Sequence, residues 1–435
     1  MTSDHLRRSR RRLTATVTDL EVEVQRAFLI GVLTPDRTTV DAERGLDELA
    51  LLTATSGSDP IDEEIVRRRE IDPATFIGSG KAKELASLTT ALDIDVVVFD
   101  NELTPAQQRN LQKIFQCDVV DREAVILDIF AQHATSKVGS LQVELAMHHY
   151  NLPRLRGKGQ ALSQQGFGVL ARGPGETKLE TDRRRILERM SRIERDLKAA
   201  SKHRATQRKS RKRQSIPQVA IVGYTNAGKS TLLNALTDAD VLVKDQLFAT
   251  LDPTVRRLAL PDNRIALLAD TVGFVRQLPH HLVEAFQSTL AEVTEADLLL
   301  HVVDATDPDP AGQMNAVRQV LSEIHAIHIP EVVAFNKVDL VDDPVRERIR
   351  NLYPDASLIS AASGIGLGDL LGVIADHLER QTVSLTIGVP YERGDIVAAA
   401  HRLGQVLAEK HDNDGTILEV RVPLQAAPRF AEFSL

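Results

Sequence analysis

The chain has one cysteine, Cys117, among 435 residues, so an internal disulfide is excluded and a reducing cytosol is the compartment that fits. A lone thiol reads first as a small, half-buried packing residue, not as a nucleophile. No apolar run is long enough to span a bilayer. The N-terminus carries Arg7, Arg8, Arg10, Arg11 and Arg12, but no apolar signal core follows. A cytoplasmic location is expected, with partial peripheral membrane association kept as a secondary option. Internal repeats are also absent. Net charge is −8, which by itself argues against a nucleic-acid binder. The basic residues, however, are concentrated in Arg7–Arg12 and again in Lys202, Arg204, Arg208, Lys209, Arg211, Lys212 and Arg213. A local basic patch can hold phosphates on an acidic protein, although a charge run is more often a solvated tail or linker. The tail reading is taken for the first run.

At this length the chain exceeds one ordinary core, and several units are expected. Residues 1–20 read as a disordered basic tail. Residues 21–125 read as a small α/β domain. It has strands at 24–33 and 95–99, and helices at 42–53, 82–92 and 101–115. Residues 126–213 read as a helical hairpin arm. Val138, Leu141, Leu145, His148 and Leu152 share one face of its first helix, which Pro153 ends. Leu179, Ile186 and Ile193, with Met190 and Leu197, form the heptad seam of the second. Between the helices lies a Gly-rich stretch from Gly157 to Thr177. A long loop without secondary structure is uncommon inside a domain and is usually functional or disordered; here it reads as a functional tip. Residues 214–380 and 381–435 form a third unit and a small C-terminal module. In the module, strands at 383–389 and 416–422 flank a helix at 395–410, and Phe430–Leu435 is read as a frayed end.

The third unit carries the chemistry. An apolar strand, 218–222, runs into Gly223-Tyr224-Thr225-Asn226-Ala227-Gly228-Lys229-Ser230, and a helix continues from Thr231. This is the G-x-x-x-x-G-K-[ST] phosphate loop, whose backbone N–H groups and helix N-terminus face phosphates. Lys229 is expected at the β- and γ-phosphates and the Ser230 hydroxyl on Mg²⁺. Asp270-Thr271-Val272-Gly273 follows a second strand. Asp270 is expected to hold the magnesium through water, and the Gly273 N–H to sense the γ-phosphate. Asn336-Lys337-Val338-Asp339 follows a third strand. Asp339 can accept from guanine N1–H and the 2-amino group, donors that adenine lacks. Asn336 ties the base's N7 edge back to the phosphate loop, and Lys337 lays its stem over the ring. Ser360-Ala361 offers a backbone N–H to the guanine oxygen. Phe248-Ala249-Thr250-Leu251-Asp252 should close over the nucleotide, with Thr250 chosen over Thr254 as the second protein ligand of Mg²⁺. Lys229, Thr250 and Gly273 are the expected catalytic set. Each string alone is turn chemistry; together, in this order, they specify an α/β P-loop GTPase domain.

Two residues are unusual. Phe274 stands where a water-orienting glutamine is needed close behind the Asp270 motif, and Gln277 is wrongly spaced. Slow intrinsic turnover, completed by a partner, is therefore expected. Asn226 either helps hold a K⁺ ion against the phosphates or serves as a turn residue. Gly78-Ser79-Gly80-Lys81-Ala82 mimics a second phosphate loop but lacks the leading glycine and the hydroxyl. It is read as a turn into a helix.

Beyond the nucleotide motifs, the strings Gly78–Leu85, Asp100–Leu111, Asp121–Phe130, Arg172–Glu180 and Asp270–Phe274 resemble those of the HflX family of ribosome-associated GTPases. The resemblance covers nearly the whole chain, and Phe274 belongs to the family pattern. The stretch Gln164–Ala171 departs from it, being more apolar than glycine-rich family tips. The resemblance implies a GTPase stimulated by the ribosome, an N-terminal domain and arm on large-subunit rRNA, and a role in splitting or rescuing stalled ribosomes under stress. The RNA contacts are expected at Lys158, Arg172, Lys178, Arg183, Arg184 and Arg185. A monomer without DNA binding is expected. Two other readings compete: a regulatory switch whose arm binds a protein, and an NTP-driven RNA remodeller, which would need nucleotide turnover by residues 1–213 alone.

Overall fold

A computed structural model describes residues 24–35, 37–155, 178–213, 216–237, 247–248, 254–262, 264–276, 287–380, 382–412, 414–424 and 426–435. At 178–179, 202–213, 287–289 and 423 it describes the backbone only. The expected basic tail, the tip between the arm helices, and Gln277 lie outside these residues.

The N-terminal unit runs β1 (Gln25–Leu33), α1 (Thr39–Thr55), β2 (Ser58–Arg67), α2 (Ser79–Ala91), β3 (Val96–Phe99), α3 (Pro105–Phe115), β4 (Asp118–Asp121) and α4 (Arg122–His133). Its four strands lie in the order β2-β1-β3-β4, all parallel. Capping fixes the helix starts. Thr38 with Asp41 opens α1, and Thr104 with Gln107 opens α3, both as capping boxes, and Pro105 sits at the first position of α3 where its missing N–H costs nothing. Two strands were not legible in the sequence. β2 carries Pro60 and four acidic residues, a composition tolerated because it is an edge strand bonded only to β1. β4 is four residues long and gives no periodicity to read.

The arm follows as α5 (Lys137–Arg154) and α6 (Lys178–Arg213). Between α4 and α5 the chain breaks at 134–136, where Ser136 is extended and its Oγ accepts from the Gly139 N–H. Pro153 does not end α5; it lies inside the last turn, which closes at Arg154. Leu145, Met190 and Ile193 are buried in the helix seam, flanked by Leu141, Leu152, Ile186 and Leu197. This is the heptad pattern made physical.

The third unit contains β5 (Gln218–Gly223), α7 (Lys229–Leu236), β6 (Thr254–Ala259), β7 (Ile265–Asp270), α8 (Gln287–Thr294), β8 (Leu298–Asp304), α9 (Pro310–Glu323), β9 (Glu331–Asn336), α10 (Asp343–Leu352), β10 (Ser357–Leu358) and α11 (Leu367–Arg380). The sheet order is β10-β9-β8-β5-β7-β6, with only β6 antiparallel to its neighbour. Its functional loops leave the C-terminal ends of parallel strands, where open α/β sheets bind ligands.

The last unit is β11 (Thr382–Pro390), α12 (Gly394–Leu403), β12 (Gln405–His411) and β13 (Gly415–Pro423), in sheet order β11-β13-β12. The helix expected over 395–410 is thus a correction: it stops at Leu403, Gly404 follows, and the remainder pairs with β13 as an exposed edge. Nor is the C-terminus frayed. Phe430 is fully buried, and the Leu435 N–H donates to the Thr386 carbonyl at 2.8 Å. Among the described residues no helix is long and apolar enough to cross a membrane.

One apolar core joins the first unit to the third. Leu46, Leu49, Ile126 and Phe130 belong to the same buried cluster as Phe248, Phe274, Val293 and Leu321. The N-terminal unit is therefore packed on the nucleotide-binding unit beside its loops.

Candidate nucleotide site

The phosphate loop turns from β5 into α7. Gly223 (φ +155°) needs glycine because a Cβ there would lie 2.3 Å from the Val302 carbonyl oxygen. At Gly228 (φ +91°) a Cβ would lie 2.2 Å from Asn336 Nδ2. The second constraint ties phosphate loop and base-reading loop together, since Asn336 Nδ2 donates to the Ala227 carbonyl at 2.9 Å. Asn226 is exposed and left-handed (φ +59°), a backbone that Asn tolerates better than most residues.

Lys229 is buried and donates from Nζ to the Tyr224 carbonyl at 2.7 Å. Burial, partly offset by the Asp270 carboxylate, lowers its ammonium to about 8. Ser230 Oγ donates to Asp270 Oδ2 at 2.7 Å, with Asp270 fully buried at the end of β7. A hydroxyl and a carboxylate meeting beside a phosphate loop are hard oxygen donors that suit Mg²⁺. Gly273 presses on the loop: a Cβ on it would meet Thr225 Cγ2 at 2.8 Å and Lys229 Nζ at 3.0 Å.

The base-reading turn follows β9. Asp339 is exposed in the short 3₁₀ turn Val338–Leu340, free of the core that holds Val338. Lys337 is left-handed (φ +65°), and its Nζ pairs with Asp304 at 2.7 Å. Of the Ser360-Ala361 pair, expected to offer a backbone N–H to the guanine oxygen, the Ala361 N–H donates to Asn336 Oδ1 at 2.9 Å, fixing that amide from its second side, and the Ser360 N–H to the Ile365 carbonyl at 2.9 Å. Ser360 is fully buried, and its Oγ accepts from the Ser363 N–H.

Three family models match consecutive stretches: "GTP-binding GTPase N-terminal" over 43–131, "GTP-binding GTPase Middle Region" over 133–211 and "50S ribosome-binding GTPase" over 218–337. The chain is 45% identical to GTPase HflX of Caldanaerobacter subterraneus subsp. tengcongensis, across 95% of either protein. It belongs to the HflX GTPase family, a family of GTP hydrolases. GTPase HflX of Escherichia coli is 42% identical over 87% of this chain and 90% of its own. Among solved structures, a GTP-binding protein from Sulfolobus solfataricus in complex with GDP covers 82% of this chain and 99% of its own, at 23% identity and a TM-score of 0.41.

Within this HflX-family chain several expected contacts point elsewhere. Phe274 is buried at the junction of the units. Its backbone bonds the phosphate loop on both sides, the Phe274 N–H to the Gly223 carbonyl at 3.1 Å and the Thr225 N–H to the Phe274 carbonyl at 2.8 Å. The residue is a structural clasp and presents nothing to a water molecule. Thr271 turns its hydroxyl to the Ile221 carbonyl at 2.6 Å, and Val272 joins the core, so neither offers a side chain to nucleotide. Phe248 is left-handed (φ +57°), and its ring is buried. Thr231 is half-buried in the first turn of α7. Ala249, Thr250, Leu251 and Asp252 lie outside the described residues, as do Lys158 and Arg172, and Lys178 is described by its backbone alone. Arg184 and Arg185 are exposed on α6, Arg183 is half-buried, and loose pairs link Arg184 to Glu188 and Arg185 to Asp182.

Tyr224 was expected at the nucleotide, but its hydroxyl donates to Glu48 of α1 and accepts from the Arg276 N–H at 2.7 Å. Glu48 in turn receives Arg122, and Arg122 bonds Asp100 at 2.8 Å. Arg44 and Arg276 both reach Asp309, at 2.7 and 3.0 Å. Glu48, Arg44 and Asp309 had no signal in the sequence. Asp100 and Arg122 stood inside family-like strings without any chemistry attached. Cys117 is half-buried, and burial pushes its thiol up to about 12, as suits a packing residue.

Proposed function

We propose that this GTPase docks on the ribosome through its N-terminal unit and arm, chiefly on large-subunit rRNA, and that GTP-dependent docking serves to split or rescue stalled ribosomes under stress. The observation that carries the reading is how the arm is mounted. Asp121, fully buried at the start of α4, accepts from Tyr150 Oη at 2.9 Å and from Arg154 Nη2 at 3.0 Å, both on α5. The Arg154 guanidinium also lies over the Tyr150 ring, 3.4 Å from its centroid. A long two-helix lever held by a buried ion pair suits force-bearing contact with a large partner. Exposed Arg184 and Arg185 supply charge for RNA phosphates, with Lys158, Arg172, Lys178 and Arg183 as further candidates. The segments 21–125, 126–213, 214–380 and 381–435 are taken as the working units of a cytoplasmic monomer.

At the nucleotide, Lys229 would neutralise the β- and γ-phosphates, the Gly273 N–H would bind the γ-phosphate, and Asp339 would hold guanine. Ser230 and Asp270, with Thr250, would hold Mg²⁺, which supplies charge neutralisation when bound. With Phe274 clasped in the core, the water must be oriented by another group, and slow turnover until a partner engages follows from that.

The test is sedimentation of ribosomes with the protein and GTP, a non-hydrolysable analogue, or GDP. Co-migration with large subunits in the analogue, and loss of whole ribosomes with GTP, are expected. An RNA-contacting arm gives an affinity that falls steeply with salt, nearly one log unit per phosphate per log unit of salt. No co-migration in any nucleotide overturns the proposal, and salt-insensitive binding transfers the arm to a protein partner.

A further inference from the structure

Two adjacent residues at the start of α4 face opposite ways. Asp121 holds the arm through Tyr150 and Arg154. Arg122, 4% exposed, bridges Asp100 and Glu48, and Glu48 receives the Tyr224 hydroxyl from inside the phosphate loop. Tyr224 is itself 7% exposed. Its carbonyl accepts from Lys229 Nζ, and its hydroxyl accepts from the backbone of Arg276. Arg276 ends the segment that begins at Asp270 and contains Gly273. Gly273, expected at the γ-phosphate, lies three residues before the N–H that Tyr224 holds.

We propose that Glu48 and Arg122, both remote in sequence from the nucleotide-binding loops, are positioning residues for GTP hydrolysis, setting the phosphate loop and the Asp270–Arg276 segment through Tyr224, and that the Asp121–Arg122 pair relays that setting to the arm. The proposal rests on the GTPase activity of the family and not on the identity of the arm's partner. Largely buried polar chains of this kind favour one geometry, because leaving a buried partner unsatisfied costs more than a single hydrogen bond contributes. Coupling through the chain is reciprocal in binding: if nucleotide biases the arm, occupancy of the arm biases nucleotide affinity by the same factor.

The test uses the full chain without ribosomes, so its outcome is separate from that of the ribosome proposal. Tyr224→Phe, Glu48→Gln and the double variant are compared in steady-state GTP turnover and thermal melting. Each single change is expected to lower kcat by about tenfold with KM moved less, and the double to be no worse than the worse single, as members of one chain behave. Lowered melting with unchanged kcat in every variant would mean a purely structural network and overturn the proposal. So would two effects that simply multiply. Tyr224→Phe removes only a hydroxyl, so it keeps the test alive if Glu48→Gln does not fold. For the relay, amide exchange across 137–154 is followed with GDP and with a GTP analogue. A nucleotide-dependent difference in the parent chain that vanishes in Tyr224→Phe is expected; no difference in the parent, or an equal one in the variant, refutes the relay.

Discussion

Phe248, from the segment that links the phosphate loop to Asp270, packs edge-on against Phe130 of α4, with ring centroids 4.6 Å apart and planes at 73°. Phe248, expected to close over the nucleotide, thus packs its ring on the N-terminal unit. Edge-to-face aromatic pairs add to what burial alone contributes.

Phe130→Ala should remove that contact. The cavity term predicts a loss of about 3–5 kcal/mol at a fully buried phenylalanine, read as a lowered melting temperature. Affinity for a GTP analogue should fall more than affinity for GDP, because only the triphosphate form draws on an ordered Phe248 segment. Equal losses for both nucleotides would show that the ring serves packing alone.

Asp339→Asn tests the base assignment. The exposed carboxylate becomes an amide that cannot accept from both guanine donors, and GTP affinity should drop by about a hundredfold, given roughly 1.5–3 kcal/mol per charge-assisted bond. Xanthosine triphosphate should bind in its place. Competition binding with both nucleotides decides it; an unchanged guanine preference removes Asp339 from the site.

Gly273→Ala places a methyl group 2.8 Å from Thr225 Cγ2 and 3.0 Å from Lys229 Nζ. GDP affinity should stay within a few-fold, while kcat falls by up to about 10²-fold, the scale for loss of a transition-state donor, as the methyl group displaces the Gly273 N–H. Single-turnover hydrolysis beside GDP titration separates the two. If kcat survives, the close approach of Gly273 to Thr225 and Lys229 does not set the rate.

Asn226 offers a clean ion test because glycine keeps its left-handed backbone while deleting the side chain. Exchange of Na⁺ for K⁺ should raise turnover in the parent chain, and Asn226→Gly should abolish the difference. Equal rates in the two salts would leave Asn226 as a turn residue.

An ion pair clasps the two helices of the arm. Arg189 donates from Nε and Nη2 to the two Glu144 carboxylate oxygens, each at 2.6 Å, joining α6 to α5. These bonds hold the Glu144 carboxyl below its ordinary 4.5. A depressed folded-state value means stability fully present above the ordinary range and lost as pH falls through the lowered one. The pair is exposed, so the contribution is small and weakened by salt. Circular-dichroism melts of the parent chain and Arg189→Gln should differ at pH 6–7 and converge only as pH falls below the ordinary 4.5. Parallel curves across the range would show that the clasp contributes nothing.

Most of the nucleotide site was legible because its chemistry is local. Glycines with positive φ, a lysine and a serine at fixed spacing, and a carboxylate at a strand end carry their meaning within a few residues. The hairpin seam of Met190 and Ile193 was legible for the same reason, since helical periodicity is local. What escaped was decided by pairing at a distance. β2 and β12 are polar edge strands that exist because β1 and β13 supply their hydrogen bonds. Phe430 and Leu435 are ordered because strand β11 receives them.

The sequence by itself determined a phosphate loop with a separate candidate base-reading string, a two-helix arm and a Phe274 that has no group to orient a water. Only the tertiary structure decided where Tyr224, Phe248 and Phe274 point, because burial between two units is a property of both surfaces at once. Glu48 illustrates the limit. On α1 it is one acidic side chain among many, and it acquires a role only when folding carries it across the chain to the hydroxyl of Tyr224.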